Sequence, residues 1–175
     1  MNKKLKNALV ALVFGVVIFA VTFFTKIQFA GVYVHLGDAF IFLMACFVPT
    51  SFALVTAALA GGLADLAAGA QVYLIATVII KALMACWFMD EGKKILDARN
   101  LGGAAVASII MVGGYYLAYA LRFGDFGAPA SFLLWNVVQA VCNFALFFVI
   151  AAVLDKFKVR ERLMGQNEKK TENNG

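Results

Sequence analysis

Hydrophobic positions along this chain come in long blocks rather than in alternation, and few polar positions separate the blocks. Residues 7–25 carry no ionisable side chain and are long enough to cross a ~30 Å hydrocarbon layer once as a helix. Similar blocks predict helices near 72–89, 103–121 and 131–154, with the first near 6–25. The stretch 37–69 is apolar too, but Pro49-Thr50 interrupts it. It reads either as one long kinked helix or as two, a short one near 37–48 and another near 50–69.

Charge decides between five and six spans. Basic residues gather at three places: Lys3, Lys4 and Lys6; then Lys93, Lys94 and Arg99; then Lys156, Lys158, Arg160, Arg162, Lys169 and Lys170. Six spans with a cytoplasmic N-terminus put these 12 on one side and leave Lys26 and Arg122 on the other. With five, segment 90–99 would no longer share the N-terminal side and the tail would lie outside. The expectation is therefore an all-α membrane protein of six transmembrane helices with both termini cytoplasmic. Residues 1–164 form its one domain, and the polar stretch 165–175 is read as a disordered cytoplasmic tail. The short second helix requires Gln28 to Leu36 to cover or enter the protein, as an outer lid between helices 1 and 2.

Composition agrees: 63% of residues are hydrophobic and 14% charged, too little polar surface for a soluble domain of 175 residues. The positive balance of +5 sits at the ends of apolar runs, which fits membrane orientation and not nucleic-acid binding. Cys46, Cys86 and Cys142 lie apart in apolar segments and read as small core residues, with no metal site or disulfide framework. The first apolar run is too long for a signal peptide and reads as a retained helix.

Polar side chains inside the spans carry the candidate chemistry, because each is expensive there. Tyr73, Thr77 and Lys81 share one face of helix 4; Tyr115, Tyr119 and Arg122 share a face of helix 5; Asn136, Gln139 and Asn143 share a face of helix 6, with Trp135 at its outer end. At 1.5 Å rise per residue, Lys81 and Gln139 lie roughly 12–13 Å below the outer helix ends, so the three faces converge on an outward-opening pocket. Asp38 stands at the start of helix 2 as an N-cap candidate. Asp65, in the last turn of helix 3, needs a cationic partner, which Lys81, Arg122 or Lys26 would supply. Plainer roles are available for several of these. Tyr73 and Trp135 suit an interfacial belt, Asn143 suits a helix–helix tie, and His35 suits an ordinary loop imidazole. On helix 1, Ala8, Ala11 and Gly15 form a small-residue face on which another helix could pack.

Several motifs together resemble one family. Tyr33-Val-His-Leu-Gly-Asp-Ala39, the Pro49 turn, Ala60-Gly-Gly-Leu-Ala-Asp-Leu66 and Ile79-Ile-Lys-Ala-Leu83 resemble the S components of energy-coupling factor (ECF) vitamin transporters, in the subgroup whose second helix opens on Leu-Gly-Asp-Ala. The resemblance implies a subunit of a bacterial plasma membrane that captures a vitamin or vitamin precursor from outside, with no enzymatic activity and no cofactor. It implies a pyrimidine or pyridine vitamer such as hydroxymethylpyrimidine or pyridoxine, with pantothenate, riboflavin, folate and a queuosine precursor also open. It further implies an energising module of one transmembrane coupling protein and two ATPases, toppling in the bilayer to release substrate, a lid at Gln28 to Leu36, and contact with the coupling protein through Ala8, Ala11 and Gly15. The family pattern on helix 1 is two alanines, and here it is Ala11-xxx-Gly15. The substrate site then comprises His35, Asp38, Asp65, Tyr73, Thr77, Lys81, Tyr115, Tyr119, Arg122, Trp135, Asn136, Gln139 and Asn143. The absence of a Walker A pattern fits a binding subunit that borrows its energy source. The competing readings are a stand-alone facilitator and a membrane enzyme using Asp38 and Asp65 as a carboxylate pair.

Overall fold

The computed structural model describes residues 2–29, 32–89, 92, 94–127 and 130–162. Helix α1 spans Lys3–Phe24 and starts under Asn2, whose side chain accepts from Lys4 N–H at 3.1 Å. At its far end the Thr25 hydroxyl donates to the Val21 carbonyl (2.6 Å) and accepts from Leu36 N–H (2.9 Å), which ties the helix end to the segment that follows. That segment is an antiparallel hairpin of β1 (Ile27–Phe29) and β2 (Val32–Val34), paired Ile27 to Val34, Gln28 to Tyr33 and Phe29 to Val32. The cover expected at Gln28 to Leu36 therefore has its own secondary structure.

Helix α2 (Asp38–Ala45) is short and sits in the middle of the bundle, with Phe42 packed against Phe88 and Phe147. It enters past Gly37, where a Cβ would collide with Thr22 Oγ1, so only glycine lets the chain pass α1 this closely. Pro49 ends the segment, and its carbonyl accepts the first bonds of α3 (Thr50–Ala67) from Phe52 and Ala53 N–H at 2.9 and 3.1 Å. A 3-10 turn, Gln71–Tyr73, leads into α4 (Leu74–Ala85). Helix α5 (Ala98–Phe123) opens under Asp97, which accepts from Asn100 N–H at 2.7 Å, and closes on Gly124 in the left-handed region (φ 64°). Helix α6 runs Ala130–Lys156.

The end of α4 departs from the hydropathy reading, and α5 starts earlier than its apolar run, under the Asp97 cap. Apolar character continues to Met89, but the backbone leaves the helix after Ala85 because side chains from α5 and beyond α6 take over its hydrogen bonding. Asn100 Oδ1 accepts from Met89 N–H (2.9 Å), and Arg160 donates to the carbonyls of Met89 (3.0 Å) and Lys94 (2.7 Å). Asp155 accepts from Ile95 and Leu96 N–H at 2.8 and 2.9 Å and so holds the same loop to α6.

Among the described residues, four helices are long and apolar enough to cross a membrane: Lys3–Phe24, Thr50–Ala67, Ala98–Phe123 and Phe132–Lys156. With 8 and 12 residues, α2 and α4 rise about 12 and 18 Å, less than a full crossing of ~30 Å. The tail expected at 165–175 lies outside the described residues.

Candidate functional site

The hairpin, the loop to α2, the 3-10 turn and the near ends of α3, α5 and α6 line a partly open cavity of about 40 Å³, space for a few water molecules. Lys26, Tyr33, His35, Asp65, Ala70, Tyr73, Tyr115, Phe132, Asn136 and Gln139 line it. Two buried ion pairs organise the region. Lys26, just past α1, donates to Asp65 Oδ1 at 2.9 Å and stands over the Tyr33 ring at 4.6 Å. Asp65 Oδ2 accepts from the Thr77 hydroxyl (2.5 Å), and Thr77 Oγ1 lies 2.9 Å from Tyr115 Oη. The single Thr77 proton goes to the carboxylate, so Tyr115 is the donor in the second contact.

Beneath this layer Lys81 donates to Asp38 Oδ1 at 2.6 Å, with both side chains essentially sealed from solvent. The Lys81 stem passes over Gly61, where a Cβ would lie 2.9 Å from Lys81 Cγ. Gln139 joins the layers: its Oε1 accepts from His35 N–H (3.2 Å) and its Nε2 donates to Asp38 Oδ2 (3.0 Å). Asn143 is spent on backbone, accepting from Ala39 N–H and donating to the carbonyls of His35 and Gln139 at 2.8–2.9 Å.

The sequence-derived set thus divides. His35, Asp65, Tyr73, Tyr115, Asn136 and Gln139 line the cavity. Thr77, Asp38, Lys81 and Asn143 hold the lining residues in place from behind. Tyr119 packs between Phe123 and Phe132, and Arg122 is exposed, its guanidinium 5.9 Å from the Tyr73 ring. Trp135 stacks on Phe29 of the hairpin at 4.2 Å, a contact that holds the cover to α6. Of the three cations able to partner Asp65, Lys26 is the one that does so. Lys26, Tyr33, Phe132 and Ala70 join the lining from outside the sequence-derived set. On α1, Ala8 is exposed, Ala11 is buried and Gly15 faces Thr56 of α3.

Asp38 and Asp65 each have their own lysine and do not share a proton, so the arrangement lacks the carboxylate pair an aspartyl hydrolase requires. What remains is a small polar chamber with aromatic walls under a pinned cover. Residues 2–157 match the model of the family described as ECF-type riboflavin transporter, S component. The chain belongs to this family. As an ECF S component it is a substrate-binding subunit of a transporter and a multi-pass protein of the plasma membrane, not an enzyme. Among curated proteins none matches the chain.

In this S component His35 lies in the loop outside the helices, and burial pulls its imidazole down to about 4, against a smaller raising effect of Asp38. The unfolded chain, with an ordinary histidine near 6.5, binds more protons between those values, so stability is full above about pH 6.5 and falls as the pH drops toward 4. Unfolding in detergent should show wild-type losing about 2–3 kcal/mol more than His35→Gln between pH 7.5 and 4.5. Parallel pH profiles for the two proteins would remove His35 as the cause.

Proposed function

We propose that this S component captures a small, uncharged aromatic heterocycle of the vitamin class from the outer face of the membrane, with a hydroxymethylpyrimidine- or pyridoxine-like ligand as the leading candidate. The observation that carries the proposal is the balance of charge: two lysines and two aspartates, each lysine already bonded to its own carboxylate. A charged vitamin would enter with no free counter-ion to meet it, at a large desolvation penalty. Tyr33, Tyr73, Tyr115 and Phe132 supply aromatic walls, and a few polar groups orient the ring. Riboflavin, in the family's description, is uncharged too; either ligand needs more room than the chamber of about 40 Å³ offers, so charge balance does not separate the two and the titration below does.

Ligand entry in this reading requires the hairpin to swing away from α6, and its return excludes water. The charge asymmetry supports six spans with both termini cytoplasmic, which places the hairpin outside. The partners are a transmembrane coupling protein and two ATPases. An apolar groove of about 670 Å³ between α1 and α3, with Gly15 and Leu12 in its lining, supports α1 as the face that meets the coupling protein, with the exposed Ala8 on the same helix; Ala11 is buried within the chain and does not belong to that face.

Native mass spectrometry of gently purified protein, followed by titration with a vitamin panel, tests the reading. One small neutral vitamer per chain is the expected result. Stoichiometric riboflavin would overturn the leading candidate, and an anionic vitamin would overturn the substrate class. Uptake in cells lacking the energising module would overturn the subunit role in favour of a facilitator.

A further inference from the structure

Tracing each proton in the cavity wall shows which polar groups are left to meet a ligand. Gly37 N–H donates to His35 Nδ1 at 3.2 Å, so the neutral ring carries its proton on Nε2. The Gln139 amide nitrogen stands 3.5 Å from that Nε2 but is itself a donor, committed to Asp38. Two donors face each other there, and no acceptor among the described residues meets the His35 Nε2–H. Flipping the Gln139 amide would aim an oxygen at the Asp38 carboxylate, so the network locks this arrangement.

The opposite polarity is left on α5 and α6. Tyr115 gives its proton to Thr77, because Thr77 gives its own to Asp65, and the Tyr115 oxygen therefore presents lone pairs. Asn136 donates to the Phe132 carbonyl at 2.8 Å, and its Oδ1 has no partner among the described residues. Donor and acceptors line one cavity.

We propose that the site selects its ligand by this pattern: a ring nitrogen or carbonyl accepts from His35 Nε2–H while an exocyclic amino or hydroxyl group donates to Tyr115 Oη or Asn136 Oδ1. The inference rests on the capture reading above and narrows it to nitrogen heterocycles that carry an acceptor and a donor together. An analogue lacking either group leaves a buried protein group unpaired, which discriminates far more strongly than a lost apolar contact. His35 and Tyr115 are in this account specificity-determining residues. Gly37 and Thr77 are positioning residues that set their proton directions.

The test is a set of double-mutant cycles between residue and ligand group, by titration of purified wild-type, His35→Phe, His35→Gln and Tyr115→Phe proteins. The probes are hydroxymethyl-aminopyrimidine, its two mono-deaza analogues and its des-amino analogue. Wild-type should lose about 100-fold or more in affinity for one deaza analogue and for the des-amino analogue. His35→Phe should bind the parent and that deaza analogue within about threefold of each other, and His35→Gln, which keeps an N–H donor, should restore part of the preference. Tyr115→Phe should shrink the des-amino penalty in the same way. If wild-type binds the parent and every analogue equally, the pattern is wrong while the capture reading stands, whatever the variants do. If wild-type binds none of these probes but retains a charged vitamin, the pattern and the substrate class both fall.

Discussion

Lys81→Met should destabilise the fold by about 3–5 kcal/mol, because it leaves the Asp38 carboxylate buried without its counter-ion. The Lys81–Asp38 contact is 2.6 Å and neither side chain reaches solvent, so no water can replace the ammonium. Methionine follows the lysine stem across Gly61 and opens no large cavity, which isolates the charge as the cause. The double variant Lys81→Met/Asp38→Asn should recover most of the loss. The amide introduced by the second change carries no charge, and its oxygen would still accept from Gln139 Nε2 in place of Asp38 Oδ2. Unfolding midpoints in detergent measure both. A single variant as stable as wild-type would show that the pair contributes nothing net. The double variant should also bind ligand within a few-fold of wild-type, since Lys81 is not among the lining residues. Helix-face reasoning places Lys81 in the site. Its depth, one layer below the cavity floor, is what moves it to a supporting role.

That difference shows where sequence reading stops. The blocks of apolar residues locate α1, α4, α5 and α6, since the period and length of a run are local properties, whereas dividing 37–69 into α2 and α3 needs the charge asymmetry as well. Which side chains share a face is local too, and so Tyr73, Thr77 and Lys81 group together. Their division into lining and backing depends on α2, whose Asp38 reaches across to Lys81 from 43 positions away. The end of α4 escapes hydropathy for a similar reason: Trp87 and Phe88 continue the apolar run, but Asn100 and Arg160 capture the backbone around Met89. The start of α5 has a local signal in Asp97, three residues before Asn100, which the later apolar onset masks. The hairpin does not read as one in the sequence, only as a cover. Ile27-Gln-Phe29 and Val32-Tyr-Val34 alternate on either side of Ala30-Gly31, but three-residue strands are too short to stand out from a loop. Arg122 and Trp135 share helix faces with true lining residues yet sit at the rim, where one partners Tyr73 and the other the hairpin.

Asp65→Asn should change what the protein binds. The substitution keeps the size of the side chain but leaves the two lysines facing one carboxylate, so the site changes from neutral to a net positive charge. Its second effect runs through hydrogen-bond polarity. With the oxygen of the new amide held by Lys26, its nitrogen donates to Thr77 Oγ1, and the Thr77 proton then turns toward Tyr115 Oη. Tyr115 in turn points its own proton into the cavity and becomes a donor. Both changes oppose a ligand that brings an amino group and favour one that brings an anion. An aminopyrimidine should lose about 100-fold in affinity, while pyridoxic acid, a carboxylate on a similar ring, should gain at least about tenfold relative to wild-type, the scale of one charge-assisted hydrogen bond. Competition titrations with the two ligands on both proteins give the ratio directly. If that ratio is the same for wild-type and Asp65→Asn, neither the charge balance nor the Asp65–Thr77–Tyr115 relay governs selection, and specificity must come from the shape of the aromatic walls alone.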